Sequence, residues 1–352
     1  MAASNKRMKN AGGIRKPGPP RLDSETWEGD AVSAQDSCLP HLFKTRRVRI
    51  LILVLLACAL RGTAQQDASS PYTLHVQANE IGVTFHAVDE NRRPLTHLTQ
   101  KDIELREDGK VQKHITMLKS FEDLPIRGGF LFDASPSMEG SLDENRAIMQ
   151  MYASRLLRPG VDQAFVAQFD QDVLPLADWT DSGAALTAGA DKIGWRANRI
   201  ADTAIYDTVY RECRDRWSQF RGEATGNFLV LFSDGEDNAS RVYLSEAVDM
   251  CQRSRTAIYA ISNSRHSAFI AAGQHMLETL AAQTGGKVFY RLDADAAWKV
   301  MQEIEAEQRN QYRLTYLPPN FKADGKFHEI RLRCRTCEAK FVVRSGYYAM
   351  AR

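Results

Sequence analysis

Between Arg127 and Asn310 the chain repeats one texture: the runs "GGFLFD", "AFVAQF", "NFLVLFSD", "TAIYAIS" and "GKVFYR" are apolar at consecutive positions, and longer amphipathic stretches separate them. A strand that is apolar on both faces has no face to offer water, so it belongs inside a sheet covered on both sides. Helices are expected near residues 139–157, 182–193, 203–220, 243–253, 274–284 and 294–310. Strands and helices in alternation specify an open, doubly wound, mostly parallel α/β sheet. Such sheets place their sites beyond the carboxyl ends of the strands.

The flanks differ. From Tyr72 come the short alternating runs "YTLHVQ", "IGVTFHAV", "DIELRED" and "HITMLKSF", broken by "DENRRP" and by Asp108-Gly109, which is turn chemistry. After Gln311 strands return as "YRLTYLP", "KFHEIRLRC" and "AKFVVRSGYY". Neither flank is large enough for a core of its own, so the two are expected to pair into one antiparallel β-module with the α/β domain inserted between them. The expected organisation is 72–122 and 311–350 for the two parts of that module and 127–310 for the α/β domain.

The first 46 residues are polar, basic and without apolar period, and are expected to be a disordered leader. Residues 47–64 look like a secretory signal: Lys44, Arg46, Arg47 and Arg49 precede an apolar run from Ile50 to Leu60, and Gly62-Thr63-Ala64 supplies small residues for cleavage. The run is too short to span a bilayer, which takes about 20 residues. An uncleaved anchor, or lipidation at Cys58 in "LLAC", are the alternatives, and they provide the only membrane contact expected. The expected location is therefore periplasmic or extracellular.

Charge follows the same boundary. Residues 1–49 hold 10 Lys or Arg against 5 Asp or Glu, and Arg61 is the single charge in 50–64. The remainder carries 35 basic and 39 acidic residues, a net of −4, which argues against a nucleic-acid surface. Four cysteines remain beyond the leader, too few for a disulfide framework. Cys334 and Cys337 are expected to form a structural disulfide across a hairpin; Cys213 and Cys251, on two separate helices, are expected to be buried singly.

Chemistry concentrates at two strand ends. "GFLFDASPS" stops its apolar run at Asp133 and follows it with Ser135 and Ser137; "NFLVLFSDG" stops at Ser233-Asp234. "RIADTAIYD" presents Thr203 at the start of a helix between them. Each residue alone is an ordinary helix cap. Together they are two carboxylates and three hydroxyls from three loops, a donor set for a hard divalent cation.

These motifs resemble the metal-ion-dependent adhesion site of von Willebrand factor A domains, written D-x-S-x-S, T and D. The resemblance covers residues 127–310. The chain beyond the leader also resembles the exported von Willebrand factor A-related proteins described from acidobacteria, through "LTQKDIELREDGK", "YRLTYLPPNFKADGKFHEIRLRC" and "VVRSGYYA". It implies that Asp133, Ser135, Ser137, Thr203 and Asp234 hold Mg²⁺ (or Mn²⁺ or Ca²⁺), with one position open to an Asp or Glu of a protein partner. Asp202 departs from the family's usual Gly; it could strengthen metal binding, repel an acidic ligand or cap a helix. Glu139 and Asp143 are read as favouring a helix start rather than forming a second cation site, and Glu236 and Asp237 as solvated loop charges.

The expected function is an adhesion-type binding module with no catalytic residues. A structural or assembly subunit of an envelope complex is the alternative. A phosphohydrolase of the haloacid dehalogenase type is remote, because that chemistry needs a second acid two residues beyond the nucleophile, where Ser135 stands. Tyr312, Tyr316, Tyr347 and Tyr348 alternate with apolar residues and are read as sheet packing.

Overall fold

The computed structural model describes residues 80–194, 202–220, 222–262 and 270–350. The leader, the signal-like segment and the run "YTLHVQ" lie outside the described residues.

Four strands come first: β1 (Ile81–Val88), β2 (Ile103–Glu107), β3 (Lys110–Val111) and β4 (Ile115–Phe121). The chain then alternates through β5 (Ile126–Asp133), α1 (Leu142–Arg155), β6 (Gln163–Phe169), β7 (Val173–Thr180), α2 (Gly183–Ala190), α3 (Ile205–Asp215) and β8 (Gly226–Phe232). It continues with α4 (Leu244–Arg253), β9 (Thr256–Ser262), α5 (Ile270–Thr284), β10 (Val288–Tyr290) and α6 (Ala294–Arg309). It closes with β11 (Gln311–Tyr316), β12 (Phe327–Cys334), β13 (Lys340–Val343) and β14 (Gly346–Tyr348).

The central sheet has the order β10-β9-β8-β5-β6-β7. All its neighbours run parallel except β7, which pairs antiparallel with β6 at the edge. The period-2 alternation of a strand sends odd and even side chains to opposite faces. Phe130, Phe132, Phe228, Val230 and Phe232 face α1, α2 and α6 in one core. Leu131, Leu229 and Leu231 face α3, α4 and α5 in another. Both faces are dry, which is why the runs of β5 and β8 stay apolar up to their last residues; the one buried amide in β6, Gln168, is paired with the Gly194 backbone. Full burial of each such side chain contributes roughly 1.5–3 kcal/mol.

The flanking strands form two four-stranded sheets, β13-β1-β11-β4 and β14-β12-β2-β3. Each combines strands from before and after the α/β domain, as the flanks implied. Ile81, Val83 and Phe85 of one sheet share a core with Ile103 and Leu105 of the other, joined by Tyr312, Tyr316 and Tyr347. The Phe85 and Tyr312 rings stack at 5.0 Å.

Three expectations are corrected. β7 was not anticipated, because Pro175 and Asp178 break the pattern of a half-exposed edge strand. The hairpin expected around Cys334 and Cys337 does not form: β12 pairs with β2 and β14, whereas β13 pairs with β1 in the other sheet. The bonded pair Cys334–Cys337 instead closes the crossover between sheets. Finally, Cys213 and Cys251 are not single; they form a disulfide that ties α3 to α4, with Cα atoms 5.0 Å apart.

Candidate metal centre

β5 and β8 are neighbours and run parallel, so both deliver their last residues to the same edge of the sheet. Asp133, at the end of β5, is 1% exposed. The Ser135 backbone N–H donates to its Oδ1 (2.9 Å) and the Ser233 hydroxyl donates to its Oδ2 (2.7 Å). Ser135 and Ser137 bring their hydroxyl oxygens to 3.1 Å of each other. No cationic side chain among the described residues pairs with Asp133.

Thr203 is buried and fixed by its backbone: its N–H donates to Asn238 Oδ1 (2.7 Å), and its carbonyl accepts from the N–H groups of Asn238 and Ala239. The next residue, Ala204, donates its N–H to the Asp170 carbonyl at the end of β6, and Ala134 donates to the Phe169 carbonyl. The loops after β5, β6 and β8 and the start of α3 are thereby tied into one cluster. Asp234 is half-buried, and its Oδ1 accepts from the Glu236 N–H at 3.2 Å. Gly235 follows at φ 89°, and a Cβ there would stand 2.3 Å from the Gly273 carbonyl of α5; only glycine fits this turn.

Electrostatically the cluster is a pocket of negative charge. Burial pushes the Asp133 carboxyl up to about 6; hydrogen bonds from Ser135 and Ser233 oppose the shift, and the charge on Asp234 adds to it. Partial burial and the same Asp234 charge also raise the Glu236 carboxyl. Two carboxylates that repel each other, with hydroxyls around them and, among the described residues, no basic side chain on the buried one, fit a divalent cation.

The structure thus joins Asp133, Ser135 and Ser137 by direct hydrogen bonds. Asp234 acts on Asp133 through its charge, and Thr203 is anchored to the loop that Asp234 begins. No role is assigned to Ser233 from the sequence, although a hydroxyl directly after β8 and beside Asp234 is the available signal. Asp237 is corrected from a solvated charge: its carboxylate accepts from Tyr206 N–H (3.0 Å) at the start of α3 and from the Ser240 hydroxyl (2.6 Å). Asp202 accepts from Gln171 Nε2 (3.1 Å), and Asp143 pairs with Arg146 (2.6 Å). Glu139 is exposed.

No protein-family model matches the chain, and no curated protein matches it. Among solved structures, the conserved hypothetical protein BatB from Bacteroides thetaiotaomicron aligns at 15% identity and a TM-score of 0.41, over 51% of this chain and 97% of its own. An aerotolerance-related membrane protein from Bacteroides fragilis aligns at 16% identity and a TM-score of 0.41, over 51% and 98%. Proximal thread matrix protein 1 from the mussel byssus, with a zinc-occupied MIDAS motif, aligns at 18% identity and a TM-score of 0.43, over 55% of this chain and 50% of its own. The chain therefore spans about half of that matrix protein. These likenesses are distant, and the fold rests on the strand order and connections of this chain.

Proposed function

We propose that the chain is an exported, non-enzymatic binding module that grips an acidic group of a protein partner through a divalent cation. One observation carries the reading: a fully buried carboxylate, Asp133, sits at the carboxyl edge of the central sheet beside a second carboxylate, with its oxygens held by Ser135 and Ser233 and, among the described residues, no cationic partner. In this reading Asp133 and Asp234 supply charge and Ser135, Ser137 and Thr203 supply hydroxyl oxygens. Mg²⁺ is the proposed ion, with Mn²⁺ or Ca²⁺ able to replace it, because every donor is oxygen. Two carboxylates balance a divalent cation and leave it able to accept one from a partner.

The same geometry speaks against phosphoryl chemistry. The position a general acid would take is Ser135, whose backbone donates to Asp133. Export draws support from the two disulfides, which persist in oxidising compartments. No described helix is long and apolar enough to cross a membrane.

The test is a pull-down from envelope extract by the full chain, in Mg²⁺ and then in EDTA, with the Asp133→Ala variant beside it. A partner retained in Mg²⁺ and lost in both other arms is the expected result. A partner retained in all three would replace this reading with that of a structural or assembly subunit whose β-module carries the interaction.

A further inference from the structure

The runs "REDGK" and "DGKFHEI" play no part in the site above, yet strand pairing brings them together. β2 and β12 pair antiparallel with Glu107 opposite Ile330. The β2–β3 hairpin turns at Asp108 (φ 48°) and Gly109 (φ 76°), the left-handed pair that a two-residue hairpin requires. That turn sets Asp108 against β12: its Oδ1 accepts the Glu329 N–H (2.9 Å), and its Oδ2 lies 2.8 Å from His328 Nδ1.

Glu107 approaches the same nitrogen, with Oε1 at 3.5 Å, and accepts the Tyr347 hydroxyl at 3.1 Å. The residue is only 8% exposed, and among the described residues its buried Oε2 has no well-formed hydrogen bond, although the Tyr316 hydroxyl lies against the same carboxylate, whose charge helps to raise that tyrosine's pKa. Asp324 stands on the other side of the ring, 4.0 Å from Nε2. Among the described residues, the one basic side chain paired with any of these carboxylates is Lys326, on Asp324. Glu107 and Asp108 therefore share two negative charges over one imidazole, and one of them is buried, which is costly without a counter-charge.

We propose that Glu107, Asp108 and His328 form a second cation site, for a borderline divalent ion of the Zn²⁺ class bound by one imidazole nitrogen and two carboxylate oxygens. The nitrogen sets the class, because Mg²⁺ and Ca²⁺ prefer oxygen alone. Donors bound at 2.0–2.2 Å to one tetrahedral ion stand roughly 3.3–3.6 Å from one another: the His328–Glu107 pair at 3.5 Å already has that spacing, and the His328–Asp108 pair, a hydrogen bond at 2.8 Å, opens by about half an ångström when the ion replaces its proton. The half-exposed Asp108 gives the ion a way in. Its effect is a clip across the β-module, joining segments 220 residues apart that lie on either side of the inserted domain. This proposal stands independently of the centre at Asp133.

The test uses the full chain without a polyhistidine tag, stripped with chelator and dialysed against micromolar Zn²⁺, with bound metal counted by mass spectrometry. The Asp133→Ala chain, which lacks the first centre, is expected to retain about one equivalent and to gain thermal stability from it. Adding His328→Ala is expected to remove that equivalent, and Asp108→Asn to weaken it by about tenfold or more. Asp108 lies in an exposed turn, so its variant gives a reading even if His328→Ala disturbs folding. An Asp133→Ala chain that takes up no zinc overturns the proposal, as does a double variant that keeps it.

Discussion

Asp133 holds its charge where water does not reach it, and its behaviour with pH follows. Its carboxyl titrates near 6 in the folded, metal-free chain against an ordinary value of 3.8, so between these values the folded state binds the proton more tightly than the unfolded chain does. The stability it contributes is complete below about pH 4 and is lost as pH rises through 6. At pH 7.5 the metal-free chain carries that cost in full. Asp133→Asn keeps the shape and removes the charge, and is expected to stabilise the metal-free protein at pH 7.5 by roughly 3 kcal/mol. It is also expected to abolish any rise in Tm on adding Mg²⁺. Thermal denaturation in EDTA at pH 5 and 7.5 checks this; a wild-type chain more stable at pH 7.5 than at pH 5 by the amount assigned to this residue would contradict it.

At the scale of elements, the sequence was legible where burial was complete. β5, β8 and β9 could be placed because both faces are dry, and the polar residue that ends each run marks the sheet edge where a ligand would bind. Asp133 and Asp234 were visible for that reason. Partners were less legible than elements, because alternation specifies a strand and is silent on its neighbour: β12 and β13 were read as a hairpin and belong to different sheets. Cys213 and Cys251 illustrate the same limit. Each has the helical spacing of a core residue, and only the packing of α3 on α4 brings them together. Their bond closes a loop of 38 residues, so its loss is expected to cost roughly 3–4 kcal/mol through the entropy of the unfolded chain. Denaturant unfolding of Cys213→Ser/Cys251→Ser against the parent measures it; an unchanged midpoint would mean that the pair is not bonded in solution.

Over the whole molecule, the insertion dictates how the chain can fold. In its sheet, β1 has β11 and β13 as neighbours, and β4 has β11; β2 has β12 and the two-residue β3. Every N-terminal strand longer than two residues therefore depends on strands that follow the α/β domain. The junction is secured by Arg309 at the end of α6, whose guanidinium donates to both oxygens of buried Asp162 (3.0 and 2.7 Å) and to the Leu124 carbonyl (3.2 Å). The Leu124 N–H in turn donates to the Arg309 carbonyl at 3.0 Å, so the entry to and the exit from the insertion are bonded side by side. Closing the α/β domain thus brings β4 and β11 together before either sheet of the β-module needs to form, which offsets much of the loop-closure entropy of their pairing. It follows that residues 72–122 expressed alone have no sheet to join and are expected to lack cooperative unfolding and to give the far-UV circular dichroism of an unfolded chain. Supplying residues 311–350 as a separate peptide is expected to rescue little, because the junction at Arg309 is absent. A cooperative transition from 72–122 alone would show that the β-module has a core independent of its second half and would sink the insertion account.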